Sequence, residues 1–409
     1  MFEEVRKFGL EYCDLPTMLW NVAVGLRVLT LNIDSKYDKG IPFGYYLLTV
    51  ITAVCHFYVF LISMTWVVCF IAPQTGDMVG AMVVLSLGIS TEIGTLKLFY
   101  MFIYVKKIRK IADDYLACDS QTIPGSRFNI NLLKASRIVK KRALIYWSVI
   151  FGNGILYLLK PVVTPGRNLP ENYFTIYGLE PKYETPYYEM GFFMMSAAVW
   201  FVCYVPACVT AYLIVIAGYT EAQLLALGQE MQNLWPDAVK KVETEMQITG
   251  IDEYEMSNRI QFNKCVEKHL REIIRQHAQV ITLFHKLEDV FRGSIAWGFL
   301  LLVLALLTEL LGKLENTYLQ LPFAFMQVAM DCFTGQRVMD ASVVFEQAVY
   351  DCQWENFDKN NRRYVLVMLQ SAQKTMTLSA GGVAMLSFTC LMTITRGIYS
   401  AYTALRSTI

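Results

Sequence analysis

Residues 41–76 contain no Asp, Glu, Lys or Arg. A helix crosses a bilayer with about 20 mostly apolar residues, and it must satisfy its own backbone because the hydrocarbon offers no water. A stretch this long and uncharged reads as a membrane span, closed by the turn residues Pro73, Gln74, Thr75 and Gly76. The pattern recurs. Residues 78–105 are interrupted only by Glu92 and Lys97, residues 143–163 form a third candidate, and residues 190–219 a fourth with a kink predicted at Pro206. Three weaker candidates follow. Residues 293–308 are leucine-rich and precede Glu309, residues 317–330 run into Asp331, and residues 375–395 end at Arg396. The chain is 17% charged, against about 25% in soluble domains. These patterns predict an all-α, polytopic membrane protein with seven transmembrane helices, the last three facing protein or water more than lipid.

Basic residues in short loops set the orientation. The connection after the second span carries Lys106, Lys107, Arg109, Lys110, Arg127, Lys134, Arg137, Lys140, Lys141 and Arg142, whereas the next carries only Lys160, Arg167 and Lys182. The first is predicted cytosolic and the second external, which puts the N-terminus inside and Ile409 outside. Glu3, Glu4, Arg6, Lys7, Glu11 and Asp14 make the beginning unlike a cleavable signal peptide. Residues 221–258 read as an acidic cytosolic loop. Residues 262–291 have an amphipathic helical pattern that extends the fifth span inward, and residues 331–374 extend the sixth and seventh toward a compact cytosolic bundle.

Catalytic and metal signatures are missing. His269, His277 and His285 recur every eight residues, which separates neighbours on a helix by about 12 Å. That is too far to share a metal, so partly exposed histidines are expected. The sequence has no nucleotide-binding glycine loop, no G-x-S-x-G and no H-E-x-x-H, so no enzyme, metal or cofactor is expected. A net charge of +1 gives no reason to expect nucleic acid. The ten cysteines include no C-x-x-C pair and read as reduced packing thiols. Glu92 and Lys97, five apart, sit on different helix faces; each needs a partner on another helix or in a wet pocket, or a role with ligand.

The last span carries a stripe. Alternating steps of four and three from Thr375 give Ser379, Gly382, Leu386, Thr389, Thr393, Arg396, Ser400, Thr403 and Ser407, all small or polar except Leu386. Neighbouring stripes hold Met376, Val383, Leu391, Ile394, Ile398 and Leu405. Hydroxyls along one face suit the wall of a water-filled pore, and they equally suit close helix packing.

At these residues the chain resembles the insect odorant receptors. Tyr350-Asp-Cys-Gln-Trp354 is similar to that family's Y-x-x-x-W segment, with Arg362 and Arg363 following. Gln373, Lys374, Ala380 and Gly381 resemble its Q-[RK]…A-G step, with Thr375 where many members have proline. Tyr399-Ser-Ala-Tyr-Thr-Ala-Leu-Arg406 resembles the closing Y-S-Y-F-T-L-L-R pattern, and Gly335 and Ser342 fit the preceding helix. The resemblance implies seven-span subunits in the plasma membrane of olfactory sensory neurons. Four of them, with a shared odorant co-receptor, form a cation channel gated by a small hydrophobic volatile and surrounded by membrane lipid. It implies that the last span lines the pore, for which the stripe offers Thr389, Thr393, Ser400 and Thr403, with a constriction about Ala404, Ser407 and Thr408. It also implies a pocket among spans two, three, four and six. By region the candidates are Met82, Val83 and Ser86; Phe151, Gly154, Ile155 and Leu158; Met194, Met195, Ala198 and Val199; and Phe323 and Met326.

The implied organisation is a cytosolic segment 1–40, spans one to four with the pocket over 41–220, a cytosolic loop and helical extension over 221–292, spans five and six over 293–330, a cytosolic anchor over 331–374 and a pore helix over 375–409. A gustatory receptor channel shares this architecture and is the nearest alternative. A G-protein-coupled receptor is disfavoured because D-R-Y and N-P-x-x-Y are missing, and a transporter because no internal repeat is evident.

Overall fold

A computed structural model describes the backbone of residues 2–34, 40–249 and 255–408, and the side chains of the same residues except 2–3, 245–249, 255–260, 314 and 406–408. Helix α1 (Leu15–Val28) starts at Asp14, whose carboxylate accepts from Thr17 N at 3.0 Å, with Pro16 in its first turn. The uncharged first stretch is α2 (Phe43–Thr75), which includes π-helical turns at Phe57–Ser63 and Val67–Ile71. Gly76 takes a left-handed φ of 72° that turns the chain, and Asp77 caps α3 (Met78–Ile103) by accepting from Gly80 N at 2.8 Å. Then come α4 (Val105–Asp119), α5 (Arg127–Val163), α6 (Tyr187–Gln232), α7 (Leu234–Thr249), α8 (Glu255–Leu311), α9 (Gln320–Tyr350) and α10 (Lys359–Ala372). A two-stranded hairpin, β1 (Ser379–Ala380) and β2 (Ala384–Met385), precedes α11 (Phe388–Thr408).

Among the described residues, α2, α3, α5, α6 and α8 are long and apolar enough to cross a membrane. The more polar α9 and α11 complete the seven expected spans. The amphipathic stretch before the fifth span is continuous with it in α8, as its periodicity predicts. Two expectations need correction. The predicted loop over 221–258 is helical to Thr249 apart from a break at Asn233, because α6 runs on past the apolar stretch and α7 follows directly. The last helix starts at Phe388 rather than Thr375, so Ser379, Gly382 and Leu386 never share a helical stripe with Thr389. The cause is local: Gly381 and Gly382 adopt φ of 65° and 77°, the paired left-handed conformation of a tight hairpin turn. Gly381 N donates to Arg292 O at 2.9 Å, and Leu378 and Leu386 are buried, which fixes the hairpin against the protein.

α6 is the centre of the molecule. The most apolar stretch of α6 is 89% buried, against 28% for α5 and 39% for the equally apolar α2. Helices α1, α2, α3, α5, α8 and α9 all pack on it. Closeness has specific causes: a Cβ on Gly218 would lie 2.4 Å from Val139 Cγ1, so only glycine lets α5 approach α6 there. Pro206, the predicted kink, lies within an unbroken α6.

Buried charges tie the same helices together. Lys97 Nζ of α3 lies 2.6 Å from Asp331 Oδ2 of α9, both side chains at most 3% exposed. Arg142 of α5 forms a two-pronged bond to Glu221 of α6 (2.9 and 3.2 Å), and Arg337 of α9 reaches Glu221 Oε1 at 2.8 Å. Glu92 Oε1 lies 3.1 Å from His56 Nε2 of α2, a contact without hydrogen-bond geometry. Glu92 and Lys97 thus each meet a partner on a different helix. Beyond the apolar spans, α7, α8 and α10 gather round Trp235, Phe262 and Phe357. Further along α8, His277 is buried with its ring 4.4 Å from that of Phe345 of α9, and so is not the partly exposed histidine expected.

Breaking the Lys97–Asp331 pair from one side strands a buried charge, which costs about 3–5 kcal/mol, whereas replacing both partners by apolar residues of similar volume is close to neutral. Asp331→Ala should therefore lower the unfolding midpoint of the detergent-solubilised protein sharply, and Lys97→Met with Asp331→Leu should recover most of the loss. A double variant no more stable than Asp331→Ala would mean that charge compensation is not what the pair supplies.

Candidate ligand cavity

Five helices meet around a small cavity of about 20 Å³ beside α6. Phe60 comes from α2, Leu87 and Thr91 from α3, Asn153 and Tyr157 from α5, Val199, Val202 and Cys203 from α6, and Phe323 from α9. Its wall is apolar. A water molecule needs about 10–15 Å³, so a larger occupant requires lining side chains to move. Roomier hollows lie elsewhere, beneath α1 and between α4 and α8, but neither adjoins α9.

Of the residues singled out from sequence, Val199 and Phe323 line this cavity. Val83, Ser86, Met195 and Ala198 are buried but do not line it, and Met82, Phe151, Leu158, Met194 and Met326 are half-buried. Ser86 Oγ donates to Gln320 Oε1 at 2.7 Å, joining α3 to the first turn of α9. Phe151 stacks on Trp147 at 4.1 Å and meets Tyr204 edge-on, away from the cavity. Ile155 is 53% exposed on the outer face of α5 and cannot reach the cavity. Gly154 is a packing position: a Cβ there would lie 2.8 Å from Cys203 Sγ. Sequence reading passed over Asn153 and Tyr157. Their signal is visible in retrospect, since they are polar residues four apart on one face of an apolar span.

Polar groups without partners collect at the end of the cavity nearer the 164–186 loop. Tyr157 Oη, both carboxyl oxygens of Glu309 and Gln320 Nε2 are buried and accept or donate no hydrogen bond within the protein. Glu171, buried in that loop, lies close to Gln320 without closing a bond to Nε2; burial pushes its carboxyl above the ordinary range, only partly offset by Lys160. Buried polar groups are normally satisfied, so this cluster is costly unless water or a ligand group reaches it. Asn153, by contrast, is engaged: Nδ2 donates to Leu319 O at 3.0 Å. Among the described residues no three His, Cys, Asp or Glu side chains come together as a metal site.

α9 connects the cavity to the last helix. Phe323 is at the cavity, while three turns further Phe333 packs on Phe388 with ring centroids 5.8 Å apart and Gln336 Oε1 accepts from Phe388 N at 3.2 Å. Arg142 lies over Phe333, its guanidinium carbon 5.0 Å from the ring centroid. In α11, Ile398 is buried and Leu391 and Ile394 are half-buried against the protein. Thr389, Thr393, Ser400, Thr403 and Ala404 are exposed. Thr393 Oγ1 donates to Thr389 O and Thr403 Oγ1 to Ser400 O, both at 2.8 Å, which leaves oxygen lone pairs directed outward. Ser407 and Thr408 have side chains outside the described residues.

A family model described as "7tm Odorant receptor" matches residues 77–399. The chain is 22% identical over 260 residues to odorant receptor Or2 of Anopheles gambiae, covering 61% of this chain and 64% of that protein. It is 24% identical over 127 residues to odorant receptor 22c of Drosophila melanogaster, covering 29% of this chain and 32% of that protein. The matches thus span less than two thirds of these relatives' own length. The fold is similar to that of the insect olfactory receptor OR5 from Machilis hrabei, with a TM-score of 0.74 at 12% identity over 96% of this chain and 98% of that one. It is equally similar to that receptor's complex with eugenol, with a TM-score of 0.73 at 11% identity over 97% and 99%. A helical, multi-pass fold with a cavity at its helical crossing and a family match over most of its length identify the chain as a member of the insect odorant receptor family.

Proposed function

We propose that this chain is the ligand-binding subunit of an odorant-gated, non-selective cation channel in the plasma membrane of olfactory neurons. It works in a tetramer with an odorant co-receptor, its N-terminus inside the cell. The observation that carries this reading is the reach of α9, which has one end at the cavity through Phe323 and the other at the root of α11 through Phe333 and Gln336. A small apolar volatile entering the cavity must displace Phe323, and α9 delivers that displacement to the pore helix. The exposed hydroxyl face of α11 supports a cation path, because lone pairs turned outward can replace part of an ion's hydration. Eugenol in the complex of the Machilis hrabei receptor supports a small volatile as the class of ligand.

Selectivity should rest mainly on shape. One methylene in an apolar site is worth about 1–3 kcal/mol, so responses over a homologous series should be graded. Phe323→Ala should move the best ligand to longer or bulkier homologues and leave ion selectivity intact, read from dose–response currents in cells that also express the co-receptor. Met194→Ala, half-buried and off the cavity, should shift tuning less. Gly154→Leu should lower surface expression rather than retune, because it forces α5 away from Cys203. Proportional loss of every response in Phe323→Ala would remove the cavity from the binding site.

Cysteines at Thr389, Thr393, Ser400 and Thr403 should react with water-soluble thiol reagents and change the current, while those at Leu391, Ile394 and Ile398 should stay slow. Equal rates for the two sets would reduce the hydroxyl face of α11 to a packing seam. For topology, a tag before Phe2 should bind antibody only after permeabilisation and a tag after Ile409 should label intact cells; surface labelling of the first would overturn the inward N-terminus.

A further inference from the structure

The hollow beneath α1 has a different character from the central cavity. It measures about 440 Å³ and lies between α1, α5 and α6, lined by Val22, Gly25, Ala143, Trp147, Cys208 and Ala211 among others. That is inside the range of about 300–1,000 Å³ typical of small-molecule sites. Its lip is formed by Phe8 and Trp147, 39% and 40% exposed, so the chamber opens on the side where α5 faces lipid.

One end of the chamber is charged. Lys140 lines it and is only 3% exposed. Its three ammonium protons go to the carbonyls of Lys7 and Gly9 at 2.7 Å and of Tyr12 at 2.6 Å. These oxygens satisfy the donors but are neutral. They leave a full positive charge beside apolar surface, with no carboxylate among the described residues in ion-pair contact with it. Lys7 is exposed, its Nζ 5.2 Å above the Trp20 ring, and Arg137, one turn before Lys140, is exposed as well. Asp14, which accepts from Thr17 N and Oγ1, is close enough for its charge to act on Lys140 but forms no ion pair with it, and Glu11 lies 3.6 Å from Arg6.

We propose that this chamber is a site for an anionic phospholipid, with an acyl chain between α1, α5 and α6 and the phosphate at Lys7 and Arg137 in the field of Lys140. A neutral lipid would leave Lys7, Arg137 and Lys140 with Asp14 as their nearest opposing charge, and a soluble anion would leave the apolar chamber unused. The combination of a basic rim and an apolar interior between membrane helices selects a molecule with both parts. The occupant pins α1 against the spans through contacts that the protein does not make for itself. The inference rests on α5 and α6 lying in the bilayer, not on the identity of any odorant.

Trp147 provides the probe. The full chain, with its channel partner where assembly needs one, is reconstituted into phosphatidylcholine vesicles containing a minor fraction of lipid with brominated acyl chains, either phosphatidylserine or phosphatidylcholine. The Trp147 signal is the difference between wild type and Trp147→Phe. Brominated phosphatidylserine should quench it several-fold more than brominated phosphatidylcholine at the same fraction. Lys7→Gln with Arg137→Gln should equalise the two, and Ala211→Phe, which fills the chamber, should lower both. Equal quenching in the wild type would make the lipid an annular neighbour only and overturn the site. A serine-lipid preference that survives Lys7→Gln with Arg137→Gln would overturn the assigned phosphate position. If Ala211→Phe does not fold, the paired surface variant still separates a bound lipid from an annular one.

Discussion

Lipid satisfies an apolar helix as readily as protein does, so enclosing α6, which is 89% buried where the equally apolar α2 is 39%, requires its neighbours to pack closely on it. That requirement explains the small residues at its contacts, Gly218 against Val139 and Gly154 against Cys203. It also explains where charge is tolerated. Glu221 is buried in α6 only because Arg142 and Arg337 arrive from two sides to meet it. In the apolar interior such groups favour one arrangement of helices over a slid or rotated one, since any other register strands a charge. Lys97 and Asp331 impose the same discipline on α3 and α9.

The cavity lies within this packing. It is small and apolar, yet Tyr157, Glu309 and Gln320 beside it have polar atoms with no partner in the protein. Lys97, Arg142 and Glu221, deeper in the bundle, all meet ionic partners. On the helices that flank it, the half-buried Met194 of α6 and Met326 of α9 are side chains that can repack at little cost.

Much of the architecture could be read from the residues, and the exceptions have identifiable causes. The first five spans, the amphipathic extension of α8 and the partner-seeking of Glu92 and Lys97 follow from charge spacing and periodicity alone. The hairpin at 379–385 was hidden because Gly381, Gly382 and their small neighbours fit a helical stripe by size, while the deciding property is the left-handed backbone that glycine permits. The extension of α6 and α7 through an acidic segment was hidden because the charges there mark a solvated helix as well as they mark a loop. Pocket residues were the least legible. Whether Phe151 faces the cavity or the Trp147–Tyr204 stack depends on the rotation of α5, and an apolar sequence facing lipid on one side and protein on the other does not encode that rotation clearly.

The hairpin between α10 and α11 has a mechanical meaning. From Gln373 to Ser387 the helical hydrogen-bond ladder is interrupted, and the interruption is fastened to α8 through Gly381 and Arg292. A continuous helix would behave as a rod, passing every tilt of the polar bundle straight into α11. This joint breaks that line, so α11 is coupled to the rest of the protein at its side, by α9 through Phe333 and Gln336 and by α8, and not through a continuous backbone from α10.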